Sequence, residues 1–386
     1  MTKRAKQARW LAINLCRLII SLTFLFSGAV KLIDPRGTQY KIEDYAVAFG
    51  LSSYMPHSLP LILAIGLALL EFYVGFCLFF GIRRRTTTRM ALALVLVMTP
   101  ITLYLALTNA VPDCGCFGDV LRLTNWQTFA KNVGLLVAAI VVVCYSRRLT
   151  RFITERNQWM LSLYALAFAF FLAMYSIRYL PVMDFRPYRI GIDLPRAIEE
   201  DFSGKNEEPV YLDFILQTTE GDDITMEWLE KPGYKFLLVA PWLEMADDSS
   251  MDRINAICDY CQEHGYSFLA ATSSVEKSIS RWKDLTGAEY DFVQADATLL
   301  KTMIRSNPGL ILFHDGVIYN KWPNTNLPKD EQLTAPLEGH TLGQMQEKSR
   351  MTSVYHLLLW FVLPLLIWTL IDRIWVGRKF YKYRKR

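Results

Sequence analysis

The residues best suited to chemistry are two cysteines separated by one glycine, Cys114 and Cys116. Glycine adopts backbone angles that other residues resist, so this spacing can close a strained, reducible disulfide or present both sulfurs to a partner or a soft metal. We predict a thiol-disulfide redox pair, with a loop-stapling disulfide as the alternative. A metal site would have to recruit His57 or His264, and without a full ligand set we predict no metal.

A second cysteine pair, Cys258 and Cys261, has the Cys-x-x-Cys spacing of redox motifs. The helix that contains it is predicted to begin at Ser249 or Ser250, which places both thiols in the third turn. That position lies beyond the helix-terminal field that lowers the pKa of a thiol. The pattern favours a structural role as small buried side chains, with a redox or metal role as the alternative.

Glu71 lies near the middle of the second long apolar run, where a buried carboxylate must be protonated, hydrated or paired. We predict Arg17 of the first run as its partner, because counting from the inner helix ends puts the two at depths that differ by about 6 Å. The pair would either lock two helices together or form a site for proton handling or for a quinone headgroup.

The elements that position these residues follow from composition, since 52% hydrophobic and 13% aromatic content is too apolar for a soluble chain of 386 residues. Six runs are long enough to cross hydrocarbon, which predicts an α-helical membrane bundle in contact with lipid. The runs span residues 10–33, 58–82, 90–108, 126–146, 159–180 and 354–375.

Lysine and arginine in alternate loops predict the orientation of the bundle, because cationic loops stay on the cytoplasmic side. Both termini are expected inside, with the Cys114 loop and the polar segment between runs five and six outside. The formal charge of +5 follows from this topology and indicates no nucleic-acid partner. The cationic segments are residues 3–9, 83–89, 147–156 and 378–386.

The polar segment between the fifth and sixth runs alternates strand and helix patterns, which predicts an α/β sandwich. A final hairpin turns at Asp315 and Gly316, a typical tight-turn dipeptide. The predicted strands are residues 235–241, 266–272 and 291–294 with the hairpin 309–319, and the predicted helices are 249–263, 275–285 and 297–305.

This order of elements, with Pro308 directly before the hairpin, resembles the thioredoxin fold, in which that proline is usually cis and borders the active site. The family's Cys-x-x-Cys would stand where the first strand meets its helix. This sequence has Trp242, Leu243, Glu244 and Met245 there, with no cysteine. The resemblance therefore implies binding and not thioredoxin catalysis.

The first half of the chain carries the motifs Ser27-Gly28, Lys31, Asp34-Pro35, Glu71 and Cys-Gly-Cys-Phe-Gly from Cys114. On these motifs, the first 150 residues or so resemble the MauE branch of the DoxX-like membrane proteins. The resemblance implies a four-helix bundle of a bacterial cytoplasmic (inner) membrane, associated with electron transfer and thiol oxidation. It also implies Cys114 and Cys116 as the redox pair and Glu71 as the embedded acid. The sequence does not name the electron acceptor, and a membrane quinone is the candidate we consider. The arrangement of five helices, insert and one helix is similar to DoxX-like proteins of Bacteroidetes.

The domain organisation expected from these patterns leaves two functions open. In the first, Cys114 and Cys116 carry out redox chemistry while a periplasmic thioredoxin-like domain recruits an extracytoplasmic protein partner. In the second, the chain is a noncatalytic membrane anchor or assembly factor whose thioredoxin-like domain binds a partner. Whether the chain is an enzyme stays open. The expected parts are the bundle 1–150, the fifth helix 151–182, the outer domain 183–350 and the sixth helix with its basic tail 351–386.

Overall fold

The computed structural model describes residues 3–111, 114–121, 123–204, 210–345 and 350–384. Lys385 and Arg386 of the predicted basic tail lie outside these ranges. The chain folds as two compact units. One contains Met1–Ser176 and Met351–Arg386, and the other is Ile177–Arg350.

Six helices within the described ranges are long and apolar enough to cross a membrane, which confirms the predicted number of spans. They are α1, α3, α4, α5, α6 and α12 in a numbering that follows the chain. The α-helices are α1 Lys3–Ile33, α2 Pro35–Ala48, α3 Leu59–Phe80, α4 Arg84–Thr108, α5 Asn125–Cys144, α6 Gln158–Tyr179, α7 Leu194–Phe202, α8 Thr225–Glu230, α9 Met251–His264, α10 Glu276–Thr286, α11 Ala297–Met303 and α12 Arg350–Arg384.

Two helices that border the Cys114 loop begin at well-formed caps. At α2, the Asp34 side chain accepts a hydrogen bond from the backbone N–H of Gly37, and a proline occupies the first turn. Thr124 and Gln127 form a capping box at the start of α5. Because capped ends satisfy the otherwise unpaired N–H groups, both helices have defined starting points beside the loop.

Glycines set the register between α1 and α3. A Cβ atom on Gly28 would lie 2.5 Å from the backbone nitrogen of Phe72, and one on Gly75 would lie 2.6 Å from that of Leu25. The helix backbones therefore touch at both points, which only glycine allows. The two helices are antiparallel, so Glu71 of α3 lies level with the C-terminal part of α1, beyond Gly28.

The α12 helix contains Pro364, which lacks the N–H that would bond the carbonyl oxygen of Trp360. The Tyr164 hydroxyl of α6 donates to that oxygen at 2.6 Å. Near its other end, Asp372 is buried and accepts hydrogen bonds from Thr154 and Asn157. Polar contacts therefore tie the last spanning helix to the rest of the bundle at two levels.

The second unit is built on a five-stranded sheet in the order β3-β2-β1-β4-β5. The first three strands are parallel, and β4 and β5 are antiparallel to their neighbours. The Asn307–Pro308 bond that precedes β4 is cis. This topology is thioredoxin-like and confirms the predicted strands, hairpin and cis proline. The strands are β1 Tyr234–Ala240, β2 Ser267–Thr272, β3 Asp291–Gln294, β4 Gly309–His314 and β5 Val317–Pro323.

Hydrophobic layers cover both faces of this sheet. In β1, Phe236 and Leu238 pack with residues of α9 and α10 on one face. Leu237 and Val239 pack with residues of α7, α8 and α11 on the other. The alternation follows from the two-residue period of a strand, and it makes the unit the α/β sandwich predicted from sequence.

Candidate functional site

The two loop cysteines lie together between α4 and α5. Their sulfur atoms are 2.9 Å apart, with Cys114 buried and Cys116 partly exposed. Gly115 between them has φ +64°, and a Cβ atom there would lie 2.9 Å from Cγ of Lys41 on α2. The glycine is therefore required both by its backbone conformation and by the closeness of α2.

The main chain of both cysteines is held by side chains of other elements. Tyr45 of α2 donates its hydroxyl proton to the carbonyl oxygen of Cys114 at 2.6 Å. The carbonyl oxygen of Cys116 lies 2.7 Å from Oγ of Ser27 and 2.9 Å from Nζ of Lys31, both in α1. Three hydrogen-bonding groups thus fix the backbone on either side of Gly115.

Below the loop, Lys31 and Glu71 form a buried ion pair. Nζ of Lys31 lies 2.7 Å from Oε2 of Glu71, and the two side chains are 5% and 6% exposed. The same ammonium donates to Oγ of Ser27 at 2.6 Å as well as to the Cys116 carbonyl. These contacts use all three N–H donors of the lysine, which offsets part of the cost of burying its charge.

Ser27 connects the ion pair to the cysteine loop. Its hydroxyl oxygen accepts from Lys31 and lies 2.7 Å from both Oε2 of Glu71 and the carbonyl oxygen of Cys116. A hydroxyl has one proton to donate, so it satisfies one of these two acceptors at a time. The network therefore has two hydrogen-bonding arrangements that differ in which acceptor Ser27 serves.

The predicted pairing of Arg17 with Glu71 is wrong. Nη1 of Arg17 donates to the carbonyl oxygen of Thr150 at 2.5 Å, and its guanidinium lies over the Phe152 ring. Arg17 precedes Lys31 by about four helical turns, or about 21 Å along α1. The sequence estimate counted depth from helix ends, whereas the glycine contacts of α1 and α3 set the actual register.

A quinone headgroup does not fit a shared site of Glu71 and Arg17. The two residues lie about 21 Å apart along the bundle by their helical positions. Oε2 of Glu71 is already engaged by Ser27 and Lys31, and the lysine donors are all used. We therefore derive no step through a quinone at these residues.

The electrostatics distinguish the two thiols. The hydrogen bond with Cys114 lowers the pKa of Cys116, and the positive charges of Lys131 and Lys31 lower it further, against an opposing effect of burial. The same hydrogen bond and burial raise the pKa of Cys114. Cys116 is therefore the thiol that ionises first, and it is also the more exposed of the two.

Lys131 of α5 supplies positive charge near this thiol, with Nζ 4.3 Å from the centre of the Phe117 ring. The sequence patterns predicted no role for Lys131 and no partner for Lys31. A signal was available, because Ser27 and Lys31 stand one helical turn apart near a span end, where a lysine needs acceptors.

The other predicted cysteine pair lies inside α9. Cys258 and Cys261 are buried and free, and the helix begins at Met251, as expected for an interior position. Burial raises the pKa of both thiols, which disfavours the reactive thiolate. His264 follows in the same helix, where its Nδ1 lies 3.0 Å from the carbonyl oxygen of Tyr260.

The edge that corresponds to a thioredoxin active site carries other side chains. Asn307, next to the cis proline, donates to the carbonyl oxygen of Trp242 at 2.8 Å. Glu244 accepts a hydrogen bond from Ser274 at 2.8 Å, and the Lys301 ammonium lies over the Trp242 ring. The residues that replace the cysteines thus form a hydrogen-bonded surface without a thiol.

Residues 9–145 match the family of methylamine utilisation protein MauE. This range contains the whole cysteine site described above. Together with the six apolar helices, the match identifies a multi-pass membrane protein. No curated protein matches the chain.

Three solved structures are similar to part of the chain. A putative protein disulfide isomerase from Bacteroides thetaiotaomicron is 14% identical over 30% of this chain and 77% of its own, with a TM-score of 0.25. The bacterioferritin comigratory protein of Xanthomonas campestris is 14% identical over 30% of this chain and 82% of its own, with a TM-score of 0.23. A conserved protein from Geobacillus kaustophilus is 12% identical over 42% of this chain and 87% of its own, with a TM-score of 0.29.

Proposed function

We propose that the chain is a membrane protein of the MauE type that exchanges thiols and disulfides with a protein partner through Cys114 and Cys116. The observation that carries the proposal is the buried network of Ser27, Lys31 and Glu71 that ends on the carbonyl oxygen of Cys116. A loop that served only as a staple would not require a desolvated ion pair beneath one of its cysteines.

The reaction begins with the thiolate of Cys116, the more acidic thiol. It attacks a disulfide of the partner, which forms a mixed disulfide and releases one partner thiolate that takes up a proton. Cys114 then loses its proton and attacks the Cys116 sulfur, closing the Cys114–Cys116 disulfide and releasing the second partner thiol. Two electrons pass from the pair to the partner, and the reverse sequence oxidises a partner dithiol.

The proposal assigns the outer unit a binding role. Cys258 and Cys261 are buried with raised pKa values, and thiol-free side chains occupy the edge next to Pro308. Exchange therefore falls to the loop cysteines, and the thioredoxin-like surface recruits the partner. The distribution of lysine and arginine supports a bacterial inner membrane location with this unit and the loop on the periplasmic side.

The test is to trap the partner in membranes that contain the full chain. We expect Cys114→Ser to accumulate a mixed disulfide at Cys116, because the resolving thiol is removed, and diagonal non-reducing and reducing gels would display it. Cys116→Ser should trap less, since the remaining Cys114 thiol is buried, which limits access to it and raises its pKa. Cys258→Ser is the matched control and should trap nothing.

The noncatalytic anchor makes a different prediction. If neither serine variant traps a partner while both are folded, and the wild-type pair resists mild reductant, the redox proposal is wrong. The cysteines would then act as a staple, and either variant would lower the thermal unfolding temperature.

A further inference from the structure

A cavity lined by arginines lies at the other end of the bundle from the cysteine loop. It opens where α3 gives way to α4 and where α5 ends, and its volume is about 560 Å³. That is within the usual range for small-ligand sites. The lining residues are Arg83, Arg84, Arg85, Thr86, Ser146, Arg147 and Arg151.

The charge of this cavity is unbalanced within the protein. Arg151 pairs with Glu155. For Arg83, Arg85 and Arg147, no carboxylate among the described residues lies within ion-pair distance. Guanidinium groups gathered at one cavity repel each other. A bound anion would attract all of them and make the electrostatic energy of the cluster favourable.

The walls of the cavity are connected to each other. Nη1 of Arg84 donates to the carbonyl oxygens of Arg147 at 2.9 Å and Leu149 at 2.6 Å. The backbone N–H of Arg83, which has φ 38°, donates to Oε1 of Gln158 at 3.3 Å. The rule that cationic loops stay in the cytoplasm requires only that lysines and arginines lie in these loops. The hydrogen bonds described here do more, because they hold segments of two different loops around the cavity.

We propose that this cavity binds a phosphate group. Guanidinium groups match the geometry of phosphate oxygens with paired N–H donors, and the first turn of α4 adds the positive end of a 25-residue helix. The cavity stands at the ends of membrane-spanning helices, where phospholipid headgroups lie. The phosphate belongs either to an anionic phospholipid or to a soluble phosphate compound.

The test uses the purified full chain with Arg83→Gln and Arg85→Gln combined, which leaves the wall-forming Arg84 and Arg151 intact. Arg89→Gln and Arg156→Gln combined is the control, because it removes the same charge from exposed positions outside the cavity. Binding is measured by native mass spectrometry and by thermal shift. The probes are cardiolipin, phosphatidylglycerol, phosphatidylcholine and inorganic pyrophosphate.

We expect affinity for the phosphate ligand to fall about tenfold or more in the cavity variant, the size of one lost charge-assisted contact, and to be unchanged in the control. Preference for cardiolipin and phosphatidylglycerol over phosphatidylcholine would identify a lipid headgroup, and pyrophosphate binding without that preference would identify a soluble ligand. Binding of neither class, or an equal loss in the control, would overturn the proposal.

Discussion

Nζ of Lys31 lies 2.7 Å from Oε2 of Glu71 in the interior of the bundle, and the same nitrogen lies 2.9 Å from the carbonyl oxygen of Cys116. One ammonium therefore joins two spanning helices and the cysteine loop. Removing either charge leaves the other buried without its counterion, which costs more than the pair itself contributes.

The first prediction concerns this pair. Lys31→Met and Glu71→Gln should each lower the free energy of unfolding, the lysine variant by about 3–5 kcal/mol, because it leaves an uncompensated carboxylate. The double variant should lose less than the sum of the two. Unfolding in detergent measures the cycle, with the exposed Lys6→Met as control. Additive losses would contradict the coupling.

A second prediction follows from the pKa of Cys116, which lies below that of an ordinary thiol. Alkylation by iodoacetamide in the reduced protein should stay fast at neutral pH and slow as the pH falls through the lowered pKa. The pKa of Cys116 is lower in the folded protein than in the unfolded chain. The stability linked to its thiolate is therefore fully present above the unfolded-state pKa, and it is lost as the pH falls from there through the folded-state pKa.

Lys131 provides the matched variant for that measurement. Lys131→Met removes one of the charges that lower the pKa of Cys116, so the alkylation profile should move to higher pH. Lys6→Met should leave the profile in place. A profile that does not respond to Lys131 would show that this lysine acts only through packing on Phe117.

The third prediction tests the loop glycine. Gly115→Ala should lower stability by about 1–2 kcal/mol, because alanine is strained at φ +64° and its Cβ would crowd Lys41. Gly134→Ala in α5 is the control, since a Cβ there meets no atom within 4 Å. It should be neutral or stabilising. Equal thermal unfolding temperatures for both variants would contradict the tight loop geometry.

Much of the fold was predictable because its signals are local. Apolar run length gave the six spans, and the strand patterns and Pro308 gave the thioredoxin-like topology. Helix α2, in the loop after α1, was not predicted from its weakly apolar sequence. Its Tyr45 and Lys41 nevertheless contact the cysteine loop.

The partner of Glu71 could not be predicted in the same way. Pairing between spanning helices depends on their vertical register, which here comes from backbone contacts at Gly28 and Gly75. Counting residues from the helix ends assumes that all ends lie in common planes, and α1 begins at Lys3, seven residues before the predicted span. The register is a tertiary property, so Arg17 was chosen where Lys31 is the partner.

The last prediction concerns orientation, tested by single cysteines in a chain whose native cysteines are serine. An impermeant maleimide applied to intact spheroplasts should label Ser53→Cys, between α2 and α3, and Thr219→Cys in the outer unit. It should spare Thr86→Cys and Arg148→Cys until the membrane is permeabilised. All four positions are exposed, so burial does not confuse the result.

Thr87, a natural choice beside Thr86, is unsuitable because it is buried and its hydroxyl donates to the carbonyl oxygen of Ile82. The expected pattern follows from the cationic segments at residues 83–89 and 147–156, which resist translocation. Labelling of Thr86→Cys in intact spheroplasts would invert the topology and place Cys114 and Cys116 in the reducing cytoplasm. The proposed exchange with a periplasmic partner would then be wrong, because the pair would not face an oxidising compartment.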